Sequence, residues 1–224
     1  MKNSLITGGA GFIGSHLSKK LTHDGHNVKV IDNFSTGFKS NLDDIKNNIK
    51  IIKGDIRDSD LLRKEMKNID IVFHMAANPS VAESIVDPFT THDINVNGTL
   101  SLLKSAVENN VEKFILSSSC AVYGDNDLLP LSESIKVDPK SPYALSKYIN
   151  EHYCKTFSDI YNIKTVCLRY FNVYGPKQNI KSEYSAVIPI FISSILKNKI
   201  PNIYGDGKQT RDFIFIDDII NANL

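Results

Sequence analysis

Six short apolar runs, interleaved with five stretches of helical period, constrain this chain more than any other feature. The runs are Ser4–Thr7, Val28–Asp32, Ile49–Lys53, Ile69–His74, Lys113–Ser117 and Thr165–Arg169. The helical stretches are Phe12–His23, Ser59–Met66, Thr91–Asn109, Pro142–Tyr161 and Ala186–Asn198. Runs that are apolar without alternation are buried on both faces, which calls for a parallel sheet covered by helices. The pattern therefore predicts an α/β fold with a doubly wound parallel sheet, the Rossmann fold. After residue 170 the character changes. Asn172–Tyr184 reads as a loop, and two short strands, Asn202–Tyr204 and Asp212–Ile216, follow a helix. Residues 1–170 then form the sheet domain, and 171–224 an incomplete, smaller region at the carboxyl edge of the sheet, where ligands bind in such folds.

The turn after the first run is Thr7-Gly-Gly-Ala-Gly-Phe-Ile-Gly14. Gly9-x-Gly11-x-x-Gly14 and Gly8-x-x-Gly11-x-x-Gly14 are both dinucleotide spacings. Glycines there allow a tight turn and a close backbone approach to a pyrophosphate, and the helix N-terminus then offers free N–H groups to it. A glycine-rich turn without a ligand would read the same in isolation. Asp32 closes the second run, eighteen positions after Gly14. A carboxylate there accepts from ribose hydroxyls and repels a 2′-phosphate. Asn33 follows it, and no Arg or Lys occurs before Lys39, which points to NAD over NADP.

Bulk properties remove other classes of function. The chain has 224 residues, a net charge of +1 and 42% hydrophobic content, which give no electrostatic case for nucleic acid or an anionic membrane. No apolar run reaches the ~18–20 residues of a membrane span. The N-terminus runs straight into a strand, which leaves no room for a signal peptide. Cys120, Cys154 and Cys167 are an odd count without metal spacing, as expected of a reducing cytoplasm. The histidines form no ligand cluster, so no metal site is expected.

Ser141-Pro-Tyr-Ala-Leu-Ser-Lys147 carries the chemistry. Tyr143 and Lys147 lie four apart on a helix, roughly 5–6 Å apart at Cβ. An ammonium so placed favours the phenolate and is expected to lower the tyrosine pKa from its ordinary value of ~10. Ser117-Ser-Ser-Cys-Ala-Val-Tyr-Gly124 ends the fifth run, where a hydroxyl could share a proton with Tyr143. Serines that simply terminate a strand would look no different.

Together these residues resemble extended short-chain dehydrogenases/reductases, in particular nucleotide-sugar 4-epimerases acting on UDP-glucose (UDP-galactose) or UDP-N-acetylglucosamine. Gly54-Asp-Ile56, His74-Met-Ala-Ala77, Asn95-Val-Asn-Gly-Thr99, Arg169-Tyr-Phe-Asn-Val-Tyr-Gly-Pro176 and Arg211-Asp-Phe213 extend the likeness over Leu5 to Leu224. The resemblance implies NAD as a bound cofactor. Gly8, Gly11, Phe12, Ile13 and Gly14 would hold its pyrophosphate, Asp32 and Asn33 its ribose, and Asp55 and Ile56 its adenine. Ala76, Ala77, Asn78, Asn95 and Phe171 would sit toward the nicotinamide. Ser119 would relay a proton, Tyr143 act as base, and Lys147 bind the nicotinamide ribose. Asn172 and Arg211 would hold the UDP-sugar diphosphate, and Val187 and Tyr204 the uridine.

Relatives that are 4,6-dehydratases place an Asp-Glu pair after the fifth strand, where this chain has Cys120-Ala121. Decarboxylases place a Glu before Val-Tyr-Gly, where this chain has Ala121. Both differences favour an epimerase, with a decarboxylase, dehydratase, reductase or non-catalytic NAD-binding module as alternatives. Family members continue for ~80–100 residues more, within ordinary domain size, so the expectation is that the segment selecting the sugar lies beyond Leu224. The resemblance also implies a homodimer through helices 91–109 and 142–161.

Overall fold

A computed structural model describes residues 1–179, 187–203 and 205–224. Its main sheet holds β1 (Asn3–Thr7), β2 (Asn27–Asp32), β3 (Lys50–Lys53), β4 (Ile71–His74), β5 (Lys113–Ser119) and β6 (Lys164–Tyr170). All neighbours pair in parallel, in the order β3-β2-β1-β4-β5-β6. The order reverses between β1 and β4, which opens a crevice at their carboxyl ends.

Successive strand residues face opposite sides, so each strand feeds two cores. Leu5, Val72 and Phe114 point to one face. There they pack with Leu62 and Met66 at α2 (Ser59–Glu65), Leu102 and Ala106 of α5 (Gly98–Glu108) and Cys154 of α6 (Pro142–Tyr161). Ile6, Phe73 and Ile115 point to the other, against Leu17 and Leu21 of α1 (Phe12–His23) and Ile216 and Ile220 of α8 (Ile216–Asn223). The doubly wound fold expected from the apolar runs is present.

α6 is delimited as its sequence dictates. Ser141 accepts from Ala144 N, Pro142 occupies the first turn, and Asn162 ends the helix in the left-handed conformation at φ 58°. The stretch Thr91–Asn109 differs from expectation. Helix starts earlier, with α4 (Pro88–His92) capped by Asp87, and a π turn at Asp93–Asn97 separates it from α5. A short helix, α3 (Val81–Val86), precedes it.

The carboxyl-terminal pairing also differs. Asn202 and Ile203 form no strand, and Tyr204 lies outside the described residues. Instead β7 (Asn172–Tyr174), inside the expected loop, pairs in parallel with β8 (Phe213–Phe215). Strands of three residues carry too little periodicity to announce a partner. The expected helix over 186–198 is α7 (Val187–Leu196), with Ala186 outside the described residues.

Candidate active site

A cavity of about 630 Å³ occupies the crevice. Its wall contains Gly8, Gly11, Phe12, Ile13, Gly14, Asp32, Asn33, Asp55, Ile56, Ala76, Ala77, Asn78, Ser119, Tyr143, Lys147 and Phe171, so most of the expected site converges. Gly8 sits at φ +67°, and a Cβ there would lie 2.7 Å from Ala76 N. A Cβ on Gly14 would lie 2.8 Å from Gly9 Cα. No larger residue fits without moving backbone. Gly11 caps α1 without a side-chain hydrogen bond, and the first turn holds no acidic residue. The helix N-terminus thus presents N–H groups and positive dipole to the cavity.

Asp32 is buried and accepts from Ala10 N and Phe34 N, both at 2.8 Å. Each of its oxygens keeps a second lone pair for a hydroxyl donor. Asp55 is engaged differently. Its carboxylate accepts from Arg57 N and Nε at 2.9 Å, from Arg57 Nη2 at 2.8 Å and from Asn33 Nδ2 at 3.3 Å. The Arg57 guanidinium holds the Asp55 carboxyl well below the usual carboxylate range. Its other end bridges to Asp93 at 2.7 Å. Arg57 was not singled out from the sequence, where a lone Arg immediately after the Gly-Asp-Ile segment carries no signal.

Asn95 does not reach the cavity wall described here. Its Oδ1 accepts from Asn78 N at 2.7 Å, while Nδ2 donates to Asn78 O at 3.1 Å and to Ser146 Oγ at 3.0 Å. It therefore clips the wall residue Asn78 to α6. His74 anchors the adjoining strand end. Thr99 Oγ1 gives its proton to Asn95 O, so it accepts from His74 Nε2, and His74 Nδ1 accepts from Thr7 Oγ1. Burial pushes this neutral imidazole down to about 3.

Tyr143 and Lys147 share a face of α6, with Nζ 5.9 Å from the phenol ring centroid. Lys147 is buried and donates to Ser117 O at 2.7 Å. Burial lowers its pKa to about 8. The expected lowering of the Tyr143 pKa is corrected by the structure. Burial pushes the phenol up, opposed by a hydrogen bond with Ser119. Taking the phenol out of water outweighs an ammonium that is itself desolvated and turned to a carbonyl.

The remaining expected residues lie apart from this wall. Asn172 Nδ2 donates to Asp212 O at 2.9 Å, which brings it beside Arg211. Arg211 is exposed and donates to Thr210 O at 2.7 Å. Val187 opens α7, and Tyr204 lies outside the described residues. Among the described residues no group of three or more His, Cys, Asp or Glu could hold a metal ion.

A family model described as the NAD dependent epimerase/dehydratase family matches residues 4–224. The chain belongs to this family. NAD is the family's cofactor, and the uncapped α1 turn, the glycine cradle and the spare Asp32 lone pairs fit it. A putative UDP-glucose 4-epimerase of Methanocaldococcus jannaschii is 44% identical over 98% of this chain and 72% of its own length. A UDP-N-acetylglucosamine 4-epimerase from Methanobrevibacter ruminantium M1, solved in complex with UDP-N-acetylmuramic acid, is similar with a TM-score of 0.96 at 48% identity. That match covers 99% of this chain and 71% of that one. A human dTDP-D-glucose 4,6-dehydratase is also similar, 39% identical over 100% of this chain and 65% of its own length.

Proposed function

We propose that the protein catalyses NAD-dependent 4-epimerisation of a UDP-sugar through a transient 4-keto intermediate. The observation that carries this reading is that Ser119, Tyr143 and Lys147 line the same cavity as the glycine cradle. Gly8, Gly11, Phe12, Ile13 and Gly14 would hold the NAD pyrophosphate, Asp32 and Asn33 the adenosine ribose, Asp55 and Ile56 the adenine pocket. Ala76, Ala77, Asn78 and Phe171 would line the nicotinamide end, and Lys147 the second ribose. NAD, when bound, supplies a reversible two-electron acceptor for the sugar carbon.

Tyr143 takes the proton from the sugar 4-hydroxyl and returns it after the sugar has turned. Ser119, which lines the same cavity and opposes the upward shift of that phenol, shares the proton and orients the oxygen. Lys147 supplies positive charge that stabilises the phenolate once substrate has displaced water. Asn172 and Arg211 hold the diphosphate, which lets the sugar present either face while staying bound. A fixed guanidinium fork suits that task. Val187 and Tyr204 complete the uridine end. Cys120-Ala121 stands where removal of water or carbon dioxide would call for carboxylates, which favours epimerisation over the alternatives.

Residues 1–170 act in this reading as the cofactor domain and 171–224 as part of the substrate region, in a reducing cytoplasm that suits three free thiols. Exposed Leu145, Ile160 and Tyr161 on α6, with Phe89 on α4, suit a second copy packed along these helices, testable by sedimentation. The functional test is a product assay. UDP-glucose and UDP-N-acetylglucosamine should give their 4-epimers without net NADH. A 4-keto-6-deoxy product would instead select a dehydratase, and release of carbon dioxide from the matching UDP-uronic acid, offered in parallel, a decarboxylase.

A further inference from the structure

We propose that Ser84 is a positioning residue that fixes the placement of Tyr143, an inference that rests on Tyr143 being the base. The first turn of a helix leaves N–H groups without helical partners. In α6, Pro142 has none to offer and Ala144 N donates to Ser141 Oγ at 3.1 Å. The Tyr143 N–H is taken by a residue 59 positions away, Ser84 Oγ, at 3.1 Å. Ser84 is fully buried, and its own proton goes to Val81 O at 2.6 Å. Its oxygen is therefore committed as an acceptor, and the bond has one sense only.

Ser84 belongs to α3, which is tied in turn to the cavity wall. Ser80 Oγ caps Glu83 N at 3.0 Å, and Ser80 N donates to the Asn78 side chain at 3.3 Å. The other end of the same residue is held as well, since Ser146 Oγ donates to Tyr143 O at 2.7 Å and accepts from Asn95. The Tyr143 backbone is thus held at N–H by Ser84, whose helix also carries the contact of Ser80 with Asn78, and at C=O by Ser146, which Asn95 links to Asn78. Ser84 is absent from the cavity wall, so it acts through Tyr143 rather than on a ligand. The phenol oxygen lies at the far end of the side chain, where a small tilt of the first turn is amplified. Misplacement by ~1 Å can cost ~100-fold in rate.

The experiment compares Ser84→Ala and Ser84→Thr with the wild type. Four quantities are read: kcat and KM for the nucleotide sugar, NAD affinity by titration, and the Tyr143 phenol titration by NMR of ring-labelled tyrosine, assigned with Tyr143→Phe. Ser84→Ala should lower kcat about tenfold with KM and NAD affinity unchanged, and should move the Tyr143 titration. Ser84→Thr, which keeps the acceptor, should restore both. An unchanged kcat and titration in Ser84→Ala would overturn the proposal, as would equal impairment in Ser84→Thr. So would a loss of kcat that only tracks lost NAD affinity. If the wild type turns over no nucleotide sugar, the epimerase reading fails, and the Tyr143 titration still decides whether Ser84 sets the phenol environment.

Discussion

The two ends of the molecule bury apolar side chains very differently. α5, of eleven residues, buries Leu102, Leu103 and Ala106 against the sheet. α7, ten residues reading Val-Ile-Pro-Ile-Phe-Ile-Ser-Ser-Ile-Leu, buries none, and Ile195 and Leu196 are 63% and 79% exposed. A helix apolar on every side is built to be covered. The sheet domain therefore stands on two filled cores, one of which takes in Ile216 and Ile220 of α8, whereas α7 presents an open apolar surface of the kind that marks interaction sites. The expected site residues divide in a similar way. Those on the sheet domain, Asn95 excepted, line one cavity together with Phe171, while Asn172, Val187 and Arg211 stand outside its wall.

The largest effect should come from the chemistry on the sheet domain. Tyr143→Phe removes the proton acceptor and should lower kcat ~10²–10⁴-fold, with thermal stability and NAD affinity intact. Steady-state kinetics beside an NAD titration would check this, and a nearly normal kcat would remove Tyr143 from its role. Gly8→Ala sets a Cβ at φ +67° against Ala76 N, and strain of this kind costs on the order of 1–3 kcal/mol. Calorimetry should show the protein destabilised and binding NAD poorly.

A matched pair of truncations sharpens the contrast itself. Leu102→Ala should cost about 2–5 kcal/mol of unfolding free energy, because a filled core site is emptied. Leu196→Ala should stay within about 0.5 kcal/mol, because solvent already touches most of that side chain. Equal costs in urea titrations would mean that the two halves do not differ as described.

A smaller effect concerns pH. His74 titrates near 3 when folded and near 6.5 when unfolded, so the unfolded chain binds its proton first as pH falls. The His74 contribution is complete above pH ~6.5 and is lost progressively as pH drops toward ~3, amounting to about 2 kcal/mol at pH 5. Denaturant curves at pH 5 and 7 should show this loss in the wild type and not in His74→Gln.

The sheet was legible because each of its strands carries a short cluster of apolar residues set between helical or loop stretches, and the glycine turn because its steric demands fall on a fixed spacing. The ends of α6 were legible from Pro142 and from its apolar period. What escaped was whatever tertiary contact decides. The π turn at Asp93–Asn97 is held from α6, where Asn150 Nδ2 donates to Asn95 O at 2.9 Å, and the pairing of β7 with β8 joins residues forty-one positions apart. Asn95 looked like a cofactor residue, but its side chain is spent on Asn78 and Ser146. The Tyr143–Lys147 spacing was correct, while the pKa direction inferred from it was not, because spacing says nothing of how deeply a pair is buried.

The central claim is that the sugar is oxidised and reduced again at a single carbon within one site. Its most direct test uses UDP-glucose carrying deuterium at C4, with products followed by NMR and mass spectrometry. The account predicts UDP-galactose that keeps its deuterium at C4 and no accumulation of NADH. Loss of the label to solvent, or a product changed at a carbon other than C4, would contradict it.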